Sequence, residues 1–214
     1  MRFVAIASLV AVSLFGCSGI PSAPYVEPAQ SENSARLRVI TNSNAFGDTI
    51  VGNCRPASRH KMAEAGRFTS EGRPSLNTPQ YPLEPAILGM PKRAAPELIQ
   101  YMGIRQMAEG FYKEVVTEYR VRTDAPFQIA TSGAGVGNFG STYSSCPEQA
   151  LVFKLEPGKD YEALVGVGGA PDKNGVQSLM CIMGVIELVS LPGTEVLVPR
   201  RVMPITASQD VCKG

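Results

Sequence analysis

Small or apolar residues alternate with polar ones along several short segments, and this alternation constrains the fold more than any other feature. In residues 35–41, small or apolar side chains at the odd positions alternate with Arg36 and Arg38. Residues 115–122 repeat the pattern around Tyr119. Successive side chains of a β-strand point to opposite faces, so a period of two is typical of strands with one buried face. Both segments are therefore predicted to be half-buried strands.

The rest of the chain adds further strands and many turns. The 214 residues include 21 glycines and 17 prolines, which favours a fold with frequent turns. Pro157 and Gly158 separate two alternating segments and predict a β-hairpin. The predicted fold is all-β, a two-sheet antiparallel β-sandwich of immunoglobulin-like type. The additional strands are expected at residues 48–53, 126–131, 151–155, 161–167, 179–188 and 196–202.

The alternation stops between residues 55 and 114. Up to Arg93, this stretch carries seven lysines and arginines and six prolines. A long stretch without a clear period is expected to be a functional or irregular loop. Pro96 can occupy the first position of a helix, so one short helix is predicted from Pro96 to about residue 109. Residues 55–114 are therefore predicted to form a long, mildly basic insertion.

Charge excludes one class of partner. The chain has 20 lysines and arginines against 19 aspartates and glutamates, a formal net charge of +1. Proteins that bind nucleic acid through its phosphates carry a basic patch or a strong excess of positive charge. Nucleic acid is therefore not an expected partner.

The first residues have the profile of a signal peptide. Arg2 is followed by an uncharged, largely apolar run at residues 3–15, and Gly16 and Cys17 end it. The run is shorter than the ~20 residues that a transmembrane helix needs. Residues 1–16 are therefore predicted to be a signal peptide, which directs the chain out of the cytoplasm.

The sequence LFGC at residues 14–17 resembles the lipobox of bacterial lipoproteins: an aliphatic, a variable and a small residue, then cysteine. In that family the cysteine is acylated, palmitate being one of the chains, and the signal peptide is cut just before it. The resemblance implies a lipid-anchored mature protein that begins at Cys17. Because Ser18 stands where an aspartate favours inner-membrane retention, it also implies the outer membrane, on the periplasmic side. The alternative is an ordinary secretory signal cut near Ser18 or Ala23.

Residues 17–34 follow the predicted cleavage point. They are rich in proline, serine and alanine and lack a periodic apolar face, as flexible linkers do. They are predicted to be the lipidated N-terminus and a flexible tether. Residues 35–214 are then predicted to form a single β-sandwich domain.

Four cysteines remain once Cys17 is set aside. An even number of cysteines in an exported chain predicts two disulfides, and three pairings are possible. Metal binding is not expected, because close Cys-x-x-Cys spacing is absent and His60 is the single histidine. The favoured pairs are Cys146 with Cys181 and Cys54 with Cys212.

Two motifs that suggest chemistry lack their usual context. Residues 135–140 match the G-x-G-x-x-G dinucleotide fingerprint, and Asp160 lies twenty residues beyond the last glycine. The following residues favour strand and turn rather than the required helix, so no cofactor is expected. His60 stands between Arg59 and Lys61 without a G-x-S-x-G nucleophile motif, and a solvated histidine is the favoured interpretation.

The mature chain also resembles, loosely, uncharacterised envelope lipoproteins of β-sandwich type. The resemblance rests on four short stretches that contain strand, turn and cysteine features. It implies a fold and no activity. The stretches are ARLRV, LGMP, FKLEPGKDYE and CIMGVIEL.

These features together predict a membrane-anchored, non-enzymatic lipoprotein. Its expected partners are the lipid bilayer, through acylated Cys17, and an envelope protein or cell-wall component. Loops at residues 55–93 and 133–145 are the expected contact surfaces. The alternative function is a cell-envelope hydrolase with a dispersed active site, which a polar cleft with paired carboxylates or a His60 dyad would favour.

Overall fold

The computed structural model describes residues 22–29, 33–52, 54–68, 72–94, 113–137, 143–171, 177–206 and 211–212. Cys17, the predicted signal peptide and the helix predicted from Pro96 lie outside these residues. The described part is all-β, with two five-stranded sheets and a two-stranded ribbon. The strands are β1 (Ser22–Pro24), β2 (Ser34–Thr41), β3 (Asn44–Thr49), β4 (Arg59–Glu64), β5 (Val115–Arg122), β6 (Phe127–Thr131), β7 (Ala134–Gly137), β8 (Tyr143–Cys146), β9 (Gln149–Phe153), β10 (Asp160–Pro171), β11 (Gln177–Ser190) and β12 (Leu197–Val202).

The two sheets form the predicted β-sandwich. The first sheet has the order β1-β4-β3-β6-β9, and the second has the order β12-β11-β10-β2-β5. Most pairs are antiparallel, as expected, but β1 with β4 and β2 with β10 are parallel. The alternating residues account for the core: Leu37, Val39 and Ala163 from the second sheet and Phe127 and Ile129 from the first are fully or almost fully buried. Burial of this apolar surface is the main stabilising contribution to the fold.

The hairpin predicted at Pro157 and Gly158 is wrong, although the turn exists. Strand β9 pairs with β6 in the first sheet, whereas β10 pairs with β2 and β11 in the second sheet. The turn therefore carries the chain from one sheet to the other. Alternation shows which side chains face the core, but it does not identify the hydrogen-bonding partner of a strand.

The insertion is more ordered than predicted. Strand β4 lies within it and pairs with both β3 and β1. Further along, the backbone N–H of Glu118 on edge strand β5 donates to the carbonyl of Ala86 at 2.9 Å. The insertion thus supplies one strand of the first sheet and covers one edge of the second.

Part of the predicted tether is also folded. Ser22 on β1 pairs with Arg59, and Tyr25 packs its ring edge-on against Tyr119 and Phe127. The Tyr25 hydroxyl donates to the carbonyl of Arg120 at 3.1 Å. Strand pairing therefore starts before residue 35, and residues 22–25 of the predicted tether belong to the folded domain.

Both favoured cysteine pairs are joined. Cys54 bonds to Cys212, with their Cα atoms 5.0 Å apart, and Cys146 bonds to Cys181 across a Cα distance of 5.5 Å. The first bond ties the end of the chain to the segment between β3 and β4, and the second joins β8 to β11. In the described ranges, no helix has the length and hydrophobicity needed to cross a membrane.

Candidate functional site

Three charged side chains lie side by side on the outer face of the second sheet. The registers place Arg38 on β2 directly between Glu118 on β5 and Glu162 on β10. Arg38 Nη2 lies 2.7 Å from Glu118 Oε1, and Arg38 Nη1 lies 2.8 Å from Glu162 Oε1. All three residues are buried, Glu118 being only 2% exposed. Sequence alternation alone predicts these positions to face solvent.

A second arginine completes the group. Arg93 Nε lies 2.5 Å from Glu162 Oε2, and Arg93 is buried as well. Two positive and two negative charges therefore share one buried cluster, which we call the arginine clamp (Arg38, Arg93, Glu118 and Glu162). Buried charges are costly unless they are paired and hydrogen-bonded, and here each charge has an opposite partner.

The clamp holds the backbone of the insertion against the sheet. Arg38 donates to the carbonyls of Met90 at 2.8 Å and Pro91 at 3.1 Å. Glu118 Oε2 accepts from the backbone N–H of Leu88 at 2.5 Å and of Met90 at 3.2 Å. The polar backbone groups of this extended segment, which form no strand, thus find partners in side chains.

The pKa of Glu118 reflects this pairing. Burial alone would raise the pKa of the carboxyl group, but the hydrogen bonds from Arg38, Met90 and Leu88 outweigh it and hold the pKa below its usual value of 4.5. The Glu118 carboxylate is therefore ionised at neutral pH and serves as a fixed acceptor for the loop.

The insertion presents apolar side chains to solvent from this fixed backbone. Within residues 72–94, which we call the clamped loop, Leu76 is 96% exposed, Leu83 is 74% exposed and Ile87 is 69% exposed. Ordering a loop before binding reduces the conformational entropy that a complex has to overcome. The clamped loop is therefore suited to contact a partner, and it lies within the contact surface expected at residues 55–93.

A different polar pair lies near one end of the first sheet, on the neighbouring interior strands β3 and β4. His60 Nδ1, near the start of β4, is 2.6 Å from Asp48 Oδ1, near the end of β3. Asp48 is only 3% exposed, whereas the His60 side chain is 43% exposed. The predicted loop is wrong, because His60 lies in strand β4; its side chain is partly exposed to solvent, as predicted, but it also has a buried carboxylate partner.

The pair borders a shallow depression of about 290 Å³ that is open to solvent. Asp48 Oδ2 is buried and has no hydrogen-bond partner among the described residues. Burial raises the pKa of Asp48 above its usual value of 3.8, although the hydrogen bond to His60 opposes the rise. The depression is lined by Tyr25, Val26, Pro28, Gly47, Asp48, Thr49, Pro56, His60 and Arg122.

An aspartate on the Nδ1 side of a histidine is also the arrangement that orients the base of a catalytic triad. Such a base needs a nucleophile within hydrogen-bond reach of Nε2. The hydrogen bond that the structure gives the His60 ring joins Nδ1 to Asp48. The hydroxyl of Tyr25, which borders the depression, is already engaged with Arg120. The pair therefore matches the histidine and the orienting carboxylate of a triad in geometry alone.

The second expected contact surface, residues 133–145, is described only in part. Gly135 and Gly137 lie in β7, opposite Ser145 and Tyr143 of β8. In a dinucleotide fingerprint these glycines belong to a turn that leads into a helix. Residues 138–142 lie outside the described part of the chain. The first two glycines of the motif thus belong to a β-ribbon.

No candidate metal site emerges in the part of the chain that the structure describes, where histidine, cysteine and carboxylate side chains form no group of three suited to a metal ion. Comparison with protein-family models, with curated proteins and with solved structures finds no match.

The sequence alone does not reveal the arginine clamp, because its members are distant along the chain. Arg38 and Glu162, which form one of its ion pairs, are 124 positions apart. The feature of the sequence that could have indicated the clamp is the presence of opposite charges at the polar positions of β2, β5 and β10.

Proposed function

We propose that this chain is a lipid-anchored protein of the bacterial cell envelope, whose β-sandwich is a non-enzymatic module that binds a partner protein. Two features support the envelope location. The LFGC sequence at residues 14–17 provides an acylation site at Cys17. The four other cysteines pair, and disulfides persist in exported proteins but are rare in the cytosol. The outer membrane, with the domain on the periplasmic side, is the proposed location.

The observation that carries the binding role is the clamped loop. Leu76, Leu83 and Ile87 are exposed on a segment whose backbone Arg38 and Glu118 fix to the sheet at residues 88–91. Exposed aliphatic side chains suit an apolar pocket on another protein, whereas a polysaccharide partner would call for polar groups. The proposed partner is therefore an envelope protein rather than cell-wall glycan.

Anchoring is tested with Cys17→Ser. The wild-type chain is expected to label with a palmitate analogue and to sediment with membranes, because acylation supplies the anchor. The variant is expected to lose the label and to appear in the soluble periplasmic fraction. Equal membrane association and equal absence of label in both proteins would contradict the proposal.

Binding is tested with a photo-crosslinking phenylalanine analogue at position 87 in intact cells. A discrete adduct is expected there, and replacing Leu83 with serine is expected to weaken it because the two side chains lie on the same segment. The matched control carries the analogue at Met203, which is also well exposed but lies outside the loop. Equal adducts at both positions, or none at position 87, would count against the clamped loop as the contact surface.

The Asp48 and His60 pair favours the hydrolase as a second candidate. In that role His60 would act as the base and Asp48 would orient it. Ester and peptidoglycan substrates would then be hydrolysed by the wild-type protein but not by His60→Gln, while both proteins keep the same unfolding transition. Absence of turnover above background in the wild-type protein would remove this candidate.

A further inference from the structure

The path of the chain before β1 limits how far the domain can lie from a lipid on Cys17. Only residues 18–21 separate Cys17 from Ser22, the first residue of β1. At ~3.3–3.6 Å per residue, the five steps from Cys17 to Ser22 span at most roughly 18 Å. The maximum reach of this spacer is shorter than the sandwich, because an eight-residue strand such as β2 alone is about 26 Å long.

Strand pairing shows which end of the sandwich is close to that anchor. Ser22 is opposite Arg59, the first residue of β4, and the two strands are parallel. Strand β3 runs antiparallel to β4, so its last residue, Thr49, lies at the same end. Ile50 donates its N–H to the carbonyl of Pro126 at 2.8 Å, which brings the start of β6 to this end as well. We call this the anchor end.

The second sheet contributes to the anchor end through the turn after β9. The chain crosses from β9 to β10 there, and Gly158 N–H donates to the carbonyl of Ser34 at 2.8 Å. Strand β11 is antiparallel to β10, so its last residue, Ser190, lies beside the start of β10. The anchor end therefore comprises the loops at residues 50–52, 54–58, 123–126, 154–159 and 191–196.

Exposed apolar side chains occur in these loops. Val51 is 69% exposed, and Leu191, Val196 and Val211 are 40–50% exposed. Val211 lies at this end because it pairs with Arg55, beside the disulfide of Cys54. Two cations nearby are matched by carboxylates, since Arg122 pairs with Asp124 and Lys159 pairs with Glu156 and Glu187.

We propose that the anchor end docks directly on the bilayer surface, with Val51, Leu191, Val196 and Val211 facing the lipid. This inference rests on the proposed acylation of Cys17. The short spacer places the end of the domain within reach of the interface, and the apolar side chains give it a surface compatible with the boundary between headgroups and acyl chains. The domain is then held against the membrane in one orientation and does not move freely at the end of a long tether.

The orientation has a consequence for the clamped loop. Glu64, the last residue of β4, forms a bridge with Tyr81, and Ser75 donates its N–H to the carbonyl of Arg67. Leu76 therefore lies beyond the opposite end of β4, at least ~17 Å along the strand from Arg59. Docking at the anchor end points this part of the clamped loop away from the membrane, where a partner can reach it.

The absence of tryptophan from the chain makes the proposal directly measurable. We would purify acylated Val51→Trp, Leu191→Trp and Leu76→Trp from membranes and reconstitute each into phosphatidylcholine and phosphatidylglycerol vesicles. The acyl chains would be either plain or brominated, because bromine quenches tryptophan only at close range. Val51 and Leu76 form a matched pair, since both are well exposed aliphatic residues at opposite ends of the sandwich, and Leu191→Trp is a second reporter at the anchor end.

Docking predicts a marked loss and blue shift of emission for Val51→Trp and Leu191→Trp in brominated vesicles, with Leu76→Trp unchanged. Vesicle flotation is measured on the same samples. If the proteins float but the two anchor-end reporters are quenched no more than Leu76→Trp, docking is overturned and anchoring stands. If the proteins do not float, the proposed anchoring itself fails.

Discussion

The arginine clamp and the Asp48 and His60 pair both bury carboxylates, but they compensate the buried charge differently. Glu118 accepts hydrogen bonds from Arg38 and from two backbone N–H groups, and its pKa is lowered. Asp48 has one partner for one oxygen and none among the described residues for the other, and its pKa is raised. Two carboxylates that are both almost inaccessible to solvent therefore have opposite pKa shifts. The clamp fixes one loop conformation, whereas the pair contains a carboxylate whose replacement is expected to cost little.

The largest expected effect is that of Glu118→Ala. Removing this carboxylate leaves Arg38 partly unpaired and two loop N–H groups without acceptors, which is expected to lower the free energy of unfolding by about 3–5 kcal/mol. Urea unfolding followed by circular dichroism measures this change in the free energy of unfolding. The matched control is Arg36→Ala on the same strand, because the Arg36 ion pair with Asp160 is partly exposed and should contribute only about 0–1 kcal/mol. Equal losses in the two variants would refute the distinction.

The next largest expected effect is the pH dependence of the free energy of unfolding. The pKa of Glu118 is below 4.5 in the folded protein, so the folded state holds fewer protons there than the unfolded state. The stabilising contribution of Glu118 is then complete above pH 4.5 and is lost as the pH falls through the lowered pKa. The stability difference between wild type and Glu118→Gln should shrink in that acidic range. A difference that stays constant from neutral pH down to the unfolding limit would show that the carboxylate is not stabilised by its partners.

The smallest expected effect is that of Asp48→Asn. Because burial raises the pKa of Asp48, the folded state binds its proton more tightly than the unfolded state, and wild-type stability relative to Asp48→Asn should increase as the pH falls toward the usual value of 3.8. Near neutral pH the substitution should change the free energy of unfolding by less than about 1 kcal/mol, since the amide can still accept from His60. A loss as large as that of Glu118→Ala would mean that Asp48 is compensated by groups other than His60.

Some features of this structure can be predicted from the sequence much better than others. Leu37 and Val39 identify β2 because alternation is a local property that follows from strand geometry. The position of β10 beside β2 was not predictable in the same way, since the Pro157 and Gly158 turn suits either a hairpin or a crossing between sheets. Strand β4 was missed because its residues, Arg59 to Glu64, are mostly charged or polar and show no clean period.

The candidate sites depend on pairing even more strongly. Arg38, Glu118 and Glu162 become a cluster only when three strands that are distant in sequence lie side by side. Asp48 and His60 are only twelve positions apart, but they come into contact because β3 and β4 pair, and the sequence does not reveal that pairing. The disulfides were easier to anticipate, because an even number of cysteines in an exported chain reduces the choice to three pairings.

Whether the protein is lipid-anchored in the envelope is tested by mass spectrometry of the full-length product extracted from membranes of cells that express it. The expected product is a mature chain that begins at Cys17 and carries covalently attached acyl chains on that residue. An unmodified chain that begins at a later residue, such as Ser18 or Ala23, would contradict both the anchoring and the membrane-docked orientation of the domain.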